Sequence, residues 1–136
     1  MPTVVLKQRD LFTRRWRNVE QIDPSETGLQ IALVARLRKG LRTDGVIWFH
    51  VPNGEHRDKR TATKLKAMGV LPGVADLVFD WNGRILYLEL KRAGGVMSAS
   101  QKQFKERAER AGRLYAVAYS VDEAVGILRG FGMEVL

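Results

Sequence analysis

The stretch Asp76-Leu-Val-Phe-Asp-Trp-Asn-Gly-Arg-Ile-Leu-Tyr-Leu-Glu-Leu-Lys91 sets two apolar, β-prone runs on either side of an Asn-Gly pair. That pattern predicts a β-hairpin, because Asn and Gly both accept the positive φ that a two-residue hairpin turn requires. With Asn82 and Gly83 in the turn, Asp80 faces Ile85, Val78 faces Tyr87, and Asp76 faces Glu89. Side chains alternate along a strand, so Lys91 shares a face with Glu89 while Leu86, Leu88 and Leu90 share the other. Two carboxylates opposite each other destabilise a strand pair unless something offsets the repulsion. A divalent cation would do so. Lys91 alone, in a structural ion-pair cluster, would also do so, but the Asn-Gly register makes the carboxylates neighbours and favours a metal-dependent active site.

The second run of the hairpin is apolar enough to be a central strand covered on both faces. Downstream, Ala93-Gly94-Gly95 breaks the pattern, and Ser98-Ala-Ser-Gln101 has the form of a helix capping box. The helix it opens runs to Ala111 and ends at Gly112, with Gln101, Phe104, Ala108 and Ala111 on one face. Gln101 is thereby either a cap or a side chain directed at the carboxylates. Leu114 to Tyr119 reads as a strand. Ser120 and Glu123 cap a last helix to about Arg129, ended by Gly130, and Met133 to Leu136 forms a short final strand.

Upstream, Asp23-Pro24-Ser25-Glu26 predicts a helix start with Asp23 as cap, Pro24 in the first position and Glu26 in the third. Leu29, Leu33 and Leu37, with Ala32, then give a helical stripe that Gly40 ends. Capping by itself accounts for Glu26. Val46 to Val51 is a strand stopped by Pro52-Asn53-Gly54, and Val74 to Phe79 is the first hairpin strand, entered through Leu71-Pro72-Gly73. Between them, Glu55 to Met68 is rich in Arg57, Lys59, Arg60, Lys64 and Lys66, with few apolar residues. A charge run of this kind is often only a solvated face. Its place next to the carboxylates makes it the best segment for backbone phosphate contacts. Helix, strand, basic insert, hairpin, helix, strand and helix in that order predict an α/β fold, a mixed sheet with helices on its faces.

Composition sets the bounds. The chain has 136 residues, 45% of them hydrophobic, which suits one domain with one core. We assign residues 23–136 to that domain and residues 1–22 to a basic arm or an edge strand around Val4 to Leu6. Cysteine is absent, which excludes disulfides and thiolate metal sites and suits an intracellular protein. No apolar run reaches membrane-spanning length. A net charge of +8 and a pI near 10.2 point to an anionic partner, nucleic acid first.

Several segments together resemble a known family. Pro72-Gly73-Val74-Ala75-Asp76-Leu77 followed by Glu89-Leu90-Lys91 is similar to the PD-(D/E)XK nuclease superfamily. Asn53-Gly54-Glu55-x-Arg57, Gly69-Val70-x-x-Gly73-Val74-x-Asp76-Leu77 and Ser98-x-x-Gln101, in that order, narrow the resemblance to the VRR-NUC (virus-type replication and repair nuclease) domains. It covers roughly Glu26 to Ser120. The resemblance implies a restriction-endonuclease-like αβββαβ core and hydrolysis of DNA phosphodiester bonds with Mg2+ or Mn2+, selective for branched or duplex replication and recombination intermediates. By matching position, Asp76, Glu89 and the backbone carbonyl of Leu90 would bind metal. Lys91 would be the catalytic lysine, Glu26 the helix-borne acid and Gln101 the glutamine of the following helix. Asn53, Arg57, Lys59, Arg60 and Lys64 are the candidate nucleic-acid contacts. Ala75 departs from the superfamily pattern, which has Pro before the Asp, although VRR-NUC sequences vary there. A phage or bacterial host cell and a homodimer presenting two sites are compatible with it. Two other classes stay open: a nucleic-acid-binding module with a vestigial site, and an assembly protein whose basic face meets an acidic partner.

Overall fold

The computed structural model describes residues 6–9, 16–19, 25–52 and 58–136. Its centre is a four-stranded mixed sheet of β3 (Ile47–His50), β4 (Leu77–Trp81), β5 (Arg84–Leu90) and β6 (Leu114–Ala118), in that spatial order. β3, β4 and β5 pair antiparallel and β6 joins β5 in parallel. A parallel neighbour needs a crossover, and α3 (Ala99–Arg110) supplies it. The hairpin register is the one predicted, with Val78 opposite Tyr87 and Asp80 opposite Ile85. Asn82 and Gly83 turn the chain at φ of 54° and 72°, the positive pair a type I′ turn demands.

The central strands β4 and β5 are covered on both faces, whereas Ile47 and Phe49 of the edge strand β3 are exposed. Leu77, Phe79, Leu86, Leu88 and Leu90 face a core filled by Leu29, Leu33 and Leu37 of α1 (Glu26–Gly40) and by Ala124, Val125, Leu128 and Phe131 of α4 (Val121–Phe131). Each buried Leu contributes about 1.5–3 kcal/mol, so the leucine stripe of α1 fixes that helix to the sheet. On the opposite face, Phe104 and Ala108 of α3 pack with Ala75, Val74, Tyr87 and Tyr115. Lys59–Ala67 forms α2, which buries no residue and is capped by Asp58 through a 2.7 Å bond from the Thr61 N–H. A separate two-stranded sheet pairs β1 (Leu6–Arg9) with β2 (Trp16–Val19); Val4 and Val5 lie outside the described residues.

Several expected boundaries move, each for a local reason. α1 is capped by Ser25, whose hydroxyl accepts the Gly28 N–H at 3.0 Å, so Glu26 is its first residue rather than its third. β4 begins at Leu77, not Val74, because Val74 and Ala75 turn away to pack under α3. α4 continues through Gly130 to Phe131, whose buried ring meets Trp81 edge-on at 5.8 Å, and stops at Gly132 with φ of 110°. Met133–Leu136 makes a single antiparallel bridge, Val135 to Leu41, rather than a strand. Ala111 closes α3 as an exposed C-cap and adds nothing to the buried stripe.

Candidate active site

Glu89 is the organising group. It sits on β5, between β4 and β6, with only 2% of its surface exposed. A buried carboxylate is costly unless its oxygens are paired. Gln101 Nε2 donates to Glu89 Oε1 at 2.9 Å, and Lys91 Nζ lies 3.6 Å from the same oxygen. Glu89 Oε2, equally buried, has no hydrogen-bond partner. Burial, followed by the charge of Asp76, raises the Glu89 pKa from 4.5 to about 8.

Asp76 occupies the position just before β4. Its carbonyl extends the pairing with β3 by accepting the Val51 N–H at 3.1 Å, and its carboxylate reaches across the hairpin, where Oδ2 accepts the Leu90 N–H at 2.8 Å. Burial raises its pKa as well; the Leu90 bond pulls the other way and Glu26 adds to the rise. Asp76 and Glu89 thus converge on one end of the sheet, as the hairpin register requires.

Lys91 is 4% exposed and lies between two acids, with Glu26 Oε1 and Glu89 Oε1 each 3.6 Å from its Nζ. The Glu26 contact depends on the shifted start of α1. In the first turn Glu26 caps nothing, since Ser25 does, and its side chain is directed at the lysine. Gln101 holds both of the roles weighed for it. Its Oε1 accepts the Ser98 N–H at 2.8 Å in a complete capping box, while its Nε2 donates to Glu89. The cap fixes the amide so that the donor end faces the carboxylate.

Around this cluster lies a cavity of about 150 Å³ lined by Val51, Gly73, Val74, Asp76, Glu89, Ser98, Ser100 and Gln101. Gly73, with φ of 77°, brings its loop against the first turn of α3 so closely that a Cβ there would lie 2.2 Å from the Ser100 carbonyl. His50 Nδ1 lies 2.7 Å from the Asp76 carbonyl, so that nitrogen carries the proton. The sequence pattern does not single out His50, Ser100 or Tyr115 of β6, all of which border the cluster. They come from three separate elements and share no motif. Among the phosphate-contact candidates, Lys59, Arg60 and Lys64 are exposed on α2, whereas Asn53 and Arg57 lie outside the described residues.

Mixed-sheet order, helices on the two faces of the sheet and acids at one sheet end define a restriction-endonuclease-like α/β core. A solved structure described as a VRR_NUC domain protein has the same fold, with a TM-score of 0.60 over 77% of this chain and 85% of that one, at 23% sequence identity. The chain therefore has a VRR-NUC-like fold. No protein-family model and no curated protein sequence matches it. Among the described residues, no helix is long and apolar enough to cross a membrane.

Proposed function

We propose that the chain is a nuclease that hydrolyses DNA phosphodiester bonds with a divalent metal, Mg2+ or Mn2+. The single observation that carries the proposal is the buried Glu89 carboxylate. Its two side-chain partners, Gln101 and Lys91, converge on Oε1, and Oε2 is left without a side-chain partner among the described residues, beside a second carboxylate. A hard cation is the partner that satisfies an orphaned anionic oxygen and relieves the repulsion from Asp76 together. Among the described residues no three His, Asp or Glu side chains form an all-protein cage. Mg2+ takes one or two carboxylates and completes its shell with water and substrate phosphate. Asp76, Glu89 and the Leu90 carbonyl would hold the ion, which supplies Lewis-acid stabilisation of charge on the phosphoryl oxygens.

The protein's own groups do the rest. Lys91, held between Glu89 and Glu26, orients the attacking water and donates to the oxygen on which charge builds. Gln101 keeps Glu89 aimed at the cavity, and Glu26 keeps Lys91 aimed at the scissile phosphate. Lys59, Arg60 and Lys64 on the exposed face of α2 bind backbone phosphates, a mode of contact that carries no base readout and favours selection by DNA structure. The test is cleavage by purified protein with Mn2+ on single-stranded, duplex, flap and four-way-junction DNA. Asp76→Ala is expected to abolish cleavage while the fold and DNA binding persist. Undiminished metal-dependent cleavage by that variant would overturn the proposal.

A further inference from the structure

Two buried side-chain oxygens lack hydrogen-bond partners among the described residues: Glu89 Oε2 and the hydroxyl of Tyr115. Their positions in the sheet are related. β5 and β6 run parallel, with Tyr87 beside Tyr115 and Glu89 beside Val117. Glu89 and Tyr115 therefore project from the same face, one diagonal step apart, a separation that an aromatic side chain spans. The same stretch of α3 covers both. Gln101 meets Glu89, and one turn further Phe104 packs against the Tyr115 ring at 6.2 Å while Lys105 Nζ lies 5.9 Å from it.

Chemistry also matches the two orphans. A carboxylate oxygen accepts and a phenol donates. An unpaired buried hydroxyl is destabilising, as is an unpaired buried acceptor, so one link between them removes both penalties. Burial first, then the charges of Glu89 and Asp76, push the Tyr115 phenol above its ordinary pKa. The hydroxyl thus keeps its proton, and the field it senses comes first from the two carboxylates of the site and then from Glu109 of α3.

We infer that Tyr115 is a positioning residue of the site, its hydroxyl linked to Glu89 Oε2 through one shared water, since the two atoms make no direct hydrogen bond. Gln101 and Lys91 fix one oxygen of Glu89 and Tyr115 fixes the other. Each carboxylate oxygen has two lone pairs, so Oε2 can take this bond and still face a cation in the cavity. Lys91 just after β5, Gln101 of α3 and Tyr115 of β6 then hold one carboxylate on a central strand. The metal-affinity part of the inference rests on the nuclease reading; the hydrogen-bond link does not.

The closing experiment has one arm for each part. A high-resolution crystal structure of the metal-free protein should show the Tyr115 hydroxyl joined to Glu89 Oε2 by one common water. A hydroxyl with no such water overturns the inference. Thermal melts of Tyr115→Phe, Glu89→Gln and the double variant, also without metal, should show non-additive effects, and additivity counts against the link. Calorimetric titration with Mn2+ should then show roughly ten-fold weaker binding by Tyr115→Phe than by the unmodified chain, with metal-free DNA affinity unchanged. Equal Mn2+ affinity would overturn the positioning role. An unmodified chain that takes up no Mn2+ would defeat the nuclease reading and the positioning role with it, leaving the link to be decided by the crystal structure and the melts.

Discussion

Gln101 shows how one side chain couples stability to the site. Its carbonyl end completes the α3 cap and its amide end pairs with Glu89, so truncation removes an N-terminal hydrogen bond and leaves a buried carboxylate oxygen with a single, longer contact to Lys91. Gln101→Ala is expected to cost about 1–3 kcal/mol, read as a lower midpoint in urea. Gln101→Glu separates the two roles. It retains an acceptor for the Ser98 N–H but replaces the amide that donates to Glu89 with a second acid, so capping is kept and the donor to Glu89 is lost. A Gln101→Glu chain as stable as the unmodified one at neutral pH would show that the Glu89 contact contributes nothing.

At the scale of elements, the position of α3 depends on the loop that precedes β4. Gly73 has a positive φ and also touches the α3 backbone; Gly69 has a positive φ of 98° with open space around it. Gly69→Ala should therefore carry only the left-handed penalty of about 1–2 kcal/mol. Gly73→Ala adds a Cβ 2.2 Å from the Ser100 carbonyl and 2.7 Å from the Gln101 nitrogen, and relief requires the first turn of α3 to move. It should destabilise more than Gly69→Ala in the same denaturant series and also weaken Mn2+ binding, because Gln101 moves with that turn. Equal effects of the two substitutions would show that the close approach is unimportant.

For the whole molecule, the acidic pair links stability to pH. Folding raises the Glu89 pKa from 4.5 to about 8, chiefly by burial and then by the Asp76 charge, and Asp76 is raised as well. The folded chain thus holds protons that the unfolded chain has released. Stability from this source is complete below the unfolded value of 4.5 and is lost as pH rises towards about 8. Without divalent ions, the melting temperature should fall across that window, and Glu89→Gln should flatten the fall. Added Mn2+ should oppose it, most strongly at the alkaline end, where the carboxylates no longer need to shed protons to bind the ion. A melting temperature that climbs steadily over the same range would contradict this account.

The sequence by itself determined what depends on short-range rules. The Asn82-Gly83 turn fixed the hairpin register, because only that pair supplies two positive φ values between the β-prone runs. The leucine stripe fixed the buried face of α1, and Ser98 with Gln101 fixed the start of α3. Placing Asp76, Glu89 and Lys91 together followed from the register alone. Tertiary structure decided what local preference leaves degenerate. Asp23 and Ser25 are both good caps, and the choice of Ser25 turned Glu26 towards Lys91. Gly130 and Gly132 are both plausible helix ends, and packing of Phe131 on Trp81 carried the helix to the second. The burial of Glu89 was decided the same way: it needs β6 on one side, β4 on the other and α3 above. These elements are distant in the chain, and their packing leaves one carboxylate oxygen satisfied and the other without a partner.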